Sequence, residues 1–519
     1  MSNQKITFAD LKTHLLSAAD ILRKSLNASE NSKPVLTLLF LKRLNDVFEE
    51  NAERKMKEQK LDKEEAYGNP RRHDFFIPED ARWSVLEKAT EDIGPKIISV
   101  CKKIEEANQE KLGGTMTYSE FNVKEKYPDT SLRKLIAKFG EKRLRTSDLE
   151  NEDVFGDAYE QLLEMFADET KKRGGQFYTP RQVVRLLVHI TEPQYNHRIC
   201  DPTCGSGGML IHSRKFAEEQ LHKKGKNSDE IKEILKNMTL NGQDSNPDTV
   251  NICKMNMVIH GVPDFKIEWD DVLQKPKFVT GGKLMEYDRV LANFPFSEDW
   301  ENESAEKDPY GRFRYGIAPA KDKADFAFIL HMLASLNKTG QAAIVCSQGV
   351  LFRGGDEQKI RKNMIIGNEK EHLQGDVIEA VIALPVALFF GTPIPGCILV
   401  LNRNKPENRK NKILFIYAAG KDDYEEDKVR NKLREKDIDK IVSTFKSFKD
   451  IDKYCHVAER EELEENEFNL NVPRYVDISE PEEEIDIQST ISEIQKLEKE
   501  KESLEIKVRS DLKELGFKV

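Results

Sequence analysis

Residues 198–210, Arg198-Ile199-Cys200-Asp201-Pro202-Thr203-Cys204-Gly205-Ser206-Gly207-Gly208-Met209-Leu210, read as a strand that ends at Asp201, a tight glycine-rich turn, and a helix that starts near Ser206. Glycine lets the backbone take positive φ and lets a ligand lie directly on the chain. The first turn of the new helix offers unpaired N–H groups and a positive dipole end to a negatively charged group. Asp201, at the strand's carboxyl edge, can grip a positively charged or hydroxyl-bearing group. The combination suits a nucleotide-like or amino-acid-like cofactor. Such turns are common in α/β proteins, so the rest of the chain decides what is held.

Downstream, strand and helix alternate. Residues 239–244 predict a strand closing on Asp244, and 247–260 a helix with Val250, Cys253, Met257 and Val258 inward. Residues 265–269 predict a strand running into Asp270-Asp271, and 287–292 one closing on Asn293-Phe294-Pro295-Phe296. A helix over 323–337 follows, then strands at 341–346, 377–384 and 397–401, with 413–417 as an edge strand. This regular alternation predicts an α/β fold, a mostly parallel sheet covered by helices. Ligands in such sheets sit at the carboxyl ends of the strands, near the point where the strand order reverses. Asp201, Asp244, Asp271 and Asn293 all close a strand and are expected to line one cleft.

Upstream, residues 1–150 read as a helical domain. Leu11, Leu15, Ala18, Ala19 and Leu22 form one helical stripe, and Pro34 is placed to open a helix over 35–50 with Leu36, Leu39, Phe40, Leu44 and Val47 inward. The loop 69–83 interleaves Arg71, Arg72, His73 and Arg82 with Phe75, Phe76 and Trp83. That mixture suits nucleic-acid contact; the favoured reading is that the aromatics dock the loop on the helices. A helix over 160–168 ends at Gly174-Gly175, and Thr179 is placed to cap a helix that begins at Pro180 and buries Val183, Val184, Leu187 and Ile190. Five basic and no acidic residues lie between Lys171 and Arg185, which reads equally as a solvated cluster or as a nucleic-acid contact.

The domain boundaries expected are 1–150, 151–420 and 421–519. Beyond 421 the chain is charged and poor in apolar residues, with a packed piece at 468–476. Residues 485–515 carry a broken heptad. Ile487, Ile494, Val508 and Leu515 stand in one series and Leu497 and Leu504 in the other, interrupted at Lys501 and Asp511. A long helix is expected there, docking on a partner helix or folding back on its own chain.

Bulk properties narrow the classes. The 519 residues allow about three domains. Hydrophobic content of 38% against 34% charged residues predicts solvated helices or tails beside the core. No apolar run reaches the length of a membrane span, and the start lacks the apolar run of a signal peptide. Seven cysteines without paired spacing fit a reducing cytoplasm, and Cys200 and Cys204 with His197 and His212 lack the tight spacing of a zinc site, so no metal is expected. A net charge of −10 argues against strong non-specific nucleic-acid binding by the chain alone. A nucleic-acid partner would need one basic face or a second subunit.

The four strand ends divide the chemistry between them. Asp201 and the 205–208 turn can take the amino-acid part of a cofactor, and Asp244 can accept from both ribose hydroxyls. Asp271 can accept from an exocyclic adenine amine. Asn293 offers an amide oxygen and Phe294 a carbonyl, which Pro295 holds extended. Two acceptors on one exocyclic amine draw its lone pair towards a tetrahedral, nucleophilic state. Phe296 offers a flat face for a base taken out of a helix.

Asp201-Pro-Thr-Cys-Gly-Ser-Gly-Gly resembles motif I of the amino-methylating DNA methyltransferases that use S-adenosylmethionine, and Asn293-Phe-Pro-Phe resembles their Asn-Pro-Pro-Phe/Tyr catalytic motif. Gly175-Gln-Phe-Tyr-Thr-Pro-Arg, Phe389-Phe-Gly-Thr-Pro-Ile-Pro, Asn469-Leu-Asn-Val-Pro-Arg-Tyr and the helical leader are similar to the methylation (M) subunit of type I restriction–modification systems. The resemblance implies a Rossmann-like methyltransferase sheet with a helical leader and tail, transferring methyl to adenine N6 in duplex DNA. It implies cofactor contacts from Gln176, Phe177, Tyr178, Thr179, Pro180, Arg181, Ser206, Gly207, Gly208 and Asp244, with Asn293 and Phe296 handling a flipped adenine; the strand ends themselves add Asp201, Thr203, Gly205 and Asp271 on the cofactor side and Phe294 and Pro295 on the amine side. It implies two such chains per specificity subunit, and a restriction subunit for cleavage. Cytosine N4 or a protein glutamine amide would present a similar amine, and a cofactor-binding scaffold without catalysis is the alternative from another class. One departure stands out: Phe294 occupies the place of the first proline of the catalytic motif, so its ring must find room.

Overall fold

The β-branched and apolar runs of the second half pair into one sheet. The protein is described from a computed structural model, over residues 5–23, 28–116, 119–151, 153–170, 178–262, 264–318, 323–390, 392–479 and 487–517. The sheet strands are β1 (Arg198–Asp201), β2 (Thr239–Asp244), β3 (Lys266–Trp269), β4 (Tyr287–Asn293), β5 (Leu336–Ser347), β6 (Ile378–Ala383), β7 (Gly396–Asn402), β8 (Lys412–Tyr417) and β9 (Cys455–Glu459). Their order is β9-β8-β6-β7-β5-β4-β1-β2-β3. Neighbours from β3 across to β5 are parallel, as are β8 and β6, while β7 runs antiparallel between β5 and β6. The chain builds β1, β2 and β3 outward on one side and then returns to place β4 on the other side of β1. The strand order therefore reverses between β1 and β4, where a ligand crevice opens.

Several expectations shift. Residues 413–417 are not an edge strand: β9 pairs antiparallel beyond β8, from Lys412 opposite Glu459 to Ile416 opposite Cys455. The boundary expected at 420 is displaced with it, because the compact unit runs to Val476. The helix Glu435–Ser447 buries Ile438, Ile441, Val442 and Phe445 in the sheet's core. Tyr475 stacks on Phe415 of β8 at 3.9 Å. High charge hid these elements, because their apolar residues form a narrow stripe among Lys, Asp and Glu. Pro34 lies inside the helix Ala28–Glu58 instead of opening it. The expected helix over 323–337 is shorter, Asp325–Ala334, and β5 begins at Leu336.

The helical leader packs on the sheet unit through a shared helix. Pro247–Ile259 places Val250, Cys253 and Met257 in the core under the sheet, and Ile252, Met255 and Ile259 in the core of the leader. A helix apolar on two faces is one buried between two layers. The aromatics of the 69–83 loop dock it on the leader as expected. Phe76 lies edge-on to Phe48 at 6.0 Å, Trp83 is buried, and Arg82 lies over the rings of Phe48 and Tyr67.

Asp477–Val519 is a separate unit containing the helix Ile487–Glu514. Ile494, Leu497, Leu504 and Val508 are each at least half exposed on it. No described helix is long and apolar enough to cross a membrane.

Candidate active site

The carboxyl ends of β4, β1, β2 and β3 stand side by side in that order. Each brings one expected polar residue: Asn293, Asp201, Asp244 and, two positions past β3, Asp271. They line a single cavity of about 270 Å3, with Thr179, Thr203, Gly205, Ser206, Gly208 and Pro295.

Backbone geometry explains the turn. Gly205 and Gly207 have φ of 52° and 85°. A Cβ on Gly207 would lie 2.8 Å from the Cys253 sulfur, so the helix Gly208–Lys223 can start where it does only with glycine there. Cys204 N–H donates to the Gln243 carbonyl at 2.9 Å, laying the turn over β2. Asp244 then ties both pieces: Oδ2 accepts from Gly205 N–H at 3.1 Å and Oδ1 from Asn246 N–H at 2.9 Å.

Asp201 is buried, and its Oδ1 accepts from Thr203 N–H at 3.1 Å. Burial pushes its carboxyl up to about 8; the Thr203 N–H pulls it down and the charge of Asp244 pushes it further up. Burial also raises Asp244. Two carboxyls at least partly shielded from water are stabilised most by a cationic group brought between them. Asp271 is exposed, and its Oδ1 accepts from Leu273 N–H at 2.8 Å.

Asn293 is 8% exposed. Its amide nitrogen donates to Thr179 Oγ1 at 3.1 Å. Its Oδ1 is buried and has no hydrogen-bond partner among the described residues. A buried acceptor left unmatched is costly unless a ligand donor meets it. Phe294 is fully buried, stacked on Phe328 at 5.1 Å and edge-on to Phe296 at 5.9 Å, so the bulky ring in the proline's place is taken up by the core.

Comparison with known proteins decides the family. The family described as N-6 DNA Methylase matches residues 150–484, and that described as HsdM N-terminal domain matches residues 11–139. The type I restriction enzyme MjaVIII methylase subunit of Methanocaldococcus jannaschii is 35% identical over 525 residues, covering 96% of this chain and 83% of that protein. The chain belongs to the N-6 DNA methylases, as a type I restriction enzyme methylase subunit. The HindI methylase subunit of Haemophilus influenzae is 32% identical, over 85% of this chain and all of that one. A crystal structure of the type I restriction–modification methyltransferase subunit from Streptococcus thermophilus superposes with a TM-score of 0.76 at 28% identity, covering 91% of this chain and 100% of that one.

The methylase subunit is thus an S-adenosylmethionine-dependent methyltransferase, and its cavity suits that cofactor: it is lined by a glycine turn, two carboxyls whose burial raises them, and an unmatched amide oxygen. Ten of the eighteen expected residues line the cavity. Gln176 and Phe177 fall outside the described residues, as do Lys171, Lys172, Arg173, Gly174 and Gly175. Tyr178 is buried edge-on to Phe390 at 5.7 Å. Thr179 does not cap the next helix; Pro180 precedes Arg181–Thr191 as its cap, and the Thr179 hydroxyl is engaged by Asn293. Arg181 pairs with Asp157 at 2.9 Å and lies 3.8 Å from Glu160. Phe296 is partly buried and lies edge-on to Phe389 at 6.4 Å, outside the cavity lining. Ser245, Asn246, Val272, Leu273, Glu298, Asp299 and Phe328 also line the cavity. The first six follow closely on Asp244, Asp271 and Asn293 in the chain. Phe328 carried no local signal, because it arrives on a helix from elsewhere in the chain.

Proposed function

We propose that this methylase subunit transfers a methyl group to N6 of an adenine in duplex DNA, with a separate specificity subunit choosing the sequence. The observation that carries the reading is the buried, unmatched Oδ1 of Asn293, whose amide nitrogen is held by Thr179. Oδ1 and the carbonyl of Phe294 accept the two hydrogens of the exocyclic amine and leave its lone pair free to attack. The adenine reaches these acceptors by leaving the duplex, where the edge it presents is otherwise paired, and the reading assigns Phe296, beside the cavity, to stack on it. The bound cofactor supplies an activated methyl group carried on a positively charged sulfur. Asp201, Thr203 and the Gly205–Gly208 turn hold its amino-acid part, Asp244 the ribose and Asp271 the adenine amine. Catalysis is positioning and electrostatic polarisation, with no covalent enzyme intermediate.

The partner arrangement follows the same reading. The net charge of −10 leaves much of the phosphate contact to another chain. Two methylase subunits per specificity subunit, with a restriction subunit added for cleavage, fit the type I restriction enzyme family.

Asn293→Ala is expected to lower methyl transfer by the complex with its specificity subunit ~100- to 1000-fold, while calorimetry finds S-adenosylmethionine affinity within about threefold of the parent, by analogy with losing a transition-state contact. Normal turnover in that variant would refute the reading. Mass analysis of the product nucleosides distinguishes N6-methyladenine from N4-methylcytosine.

A further inference from the structure

The catalytic turn lacks the first proline, yet it is anchored from behind. Ser297, the first residue after Asn293-Phe-Pro-Phe, has φ of 58° without being glycine. That left-handed conformation persists only where surrounding contacts hold it. The contact is Asp325, which is fully buried. Its Oδ1 accepts from Ser297 N–H at 3.0 Å. Its Oδ2 accepts from the Ser347 hydroxyl at 3.0 Å and from Arg353 Nη2 at 2.6 Å. One residue earlier, Ala324 N–H donates to the Glu298 carbonyl at 3.0 Å. The turn is therefore tied twice to the start of the helix Asp325–Ala334, whose next turn carries Phe328 beneath Phe294. Arg353, in turn, is held by the buried Glu357 at 3.2 Å.

We infer that Asp325 is the positioning residue of the catalytic turn, supplying through Ser297 the rigidity that a proline at 294 would otherwise give. This rests on the reading of Asn293 as the group that holds the target amine. Asp325 does not touch the substrate. It fixes where the Asn293 amide and the Phe294 carbonyl stand, and Arg353 and Ser347 keep its carboxylate oriented. A misplacement of acceptors by about 1 Å costs on the order of 100-fold in rate, so the effect falls on turnover and spares cofactor binding, which uses the ends of β1 and β2.

The test measures methyl transfer by the complex with its specificity subunit, S-adenosylmethionine binding by calorimetry, and thermal melting, for Asp325→Ala, Asp325→Asn and Asn293→Ala. Asp325→Ala is expected to lower kcat about 100-fold, with KM for DNA and cofactor Kd within about threefold. Asp325→Asn keeps an oxygen for Ser297 N–H and is expected to recover at least about tenfold of that loss. If Asp325→Ala does not fold, Asp325→Asn alone is expected to lower kcat about tenfold with unchanged cofactor Kd. Unchanged kcat, no recovery in the Asn variant, or a cofactor Kd that weakens in step with kcat would overturn the inference. Retained activity in Asn293→Ala would instead remove the reading on which it rests.

Discussion

At the residue scale, the cavity's chemistry is set by what burial does to side chains. Asp201 has its carboxyl raised from 3.8 to about 8 by burial. A folded pKa above the unfolded one means that the proton stabilises the cofactor-free fold. That contribution is complete below the unfolded value and is lost as pH rises through the folded one. A cationic ligand prefers the ionised carboxylate, so binding must displace that proton at lower pH. S-adenosylmethionine affinity is expected to rise roughly tenfold between about pH 6.5 and about pH 8, and to level off above about pH 9. Calorimetry across that range checks it, with Asp201→Asn expected to bind more weakly and with a flatter pH dependence. Phe294 shows the opposite use of burial. Its ring, where it departs from the motif, is taken into the core and stacked on Phe328.

At the element scale, each strand delivers one polar residue because a parallel strand's carboxyl end is followed by a turn that must leave the sheet. Asp201, Asp244 and Asn293 occupy that position and were legible from the sequence. The helix Pro247–Ile259 was only half legible. One face was read as inward, while Ile252, Met255 and Ile259 pack against a leader that no local pattern reveals. The helix Ile487–Glu514 exposes Ile494, Leu497 and Leu504. Apolar residues at heptad spacing are matched by a helix of like pattern. Removing residues 480–519 is expected to abolish co-purification with the specificity subunit, with S-adenosylmethionine affinity unchanged. Undiminished co-purification would place that interface elsewhere.

At the scale of the whole molecule, the sheet is completed by residues that look like a solvated tail. β9 covers the edge of β8, and Tyr475 stacks on Phe415. The helix Glu435–Ser447 buries Phe445, and its Glu435 pairs with Arg185 on the helix that follows Thr179. Deleting these segments would expose several large side chains at about 2 kcal/mol each, more than a domain's usual margin of stability. A chain ending at Gly420 is expected to lose cooperative thermal unfolding and to aggregate, whereas one ending at Val476 keeps a single sharp transition by calorimetry.

The sequence by itself determined the class of fold, the glycine turn, and the residues that close β1, β2 and β4, because these depend on local patterns: strand periodicity, glycine spacing, and a polar residue at a strand's end. Only the tertiary structure decided what holds the turn after β4, where Phe294 goes, and where the sheet unit ends. Asp325 reaches Ser297 from 28 positions away, and β9 reaches β8 across a charged helix. Such contacts are selected by burial and hydrogen-bond matching in three dimensions, which leave no periodicity in the chain.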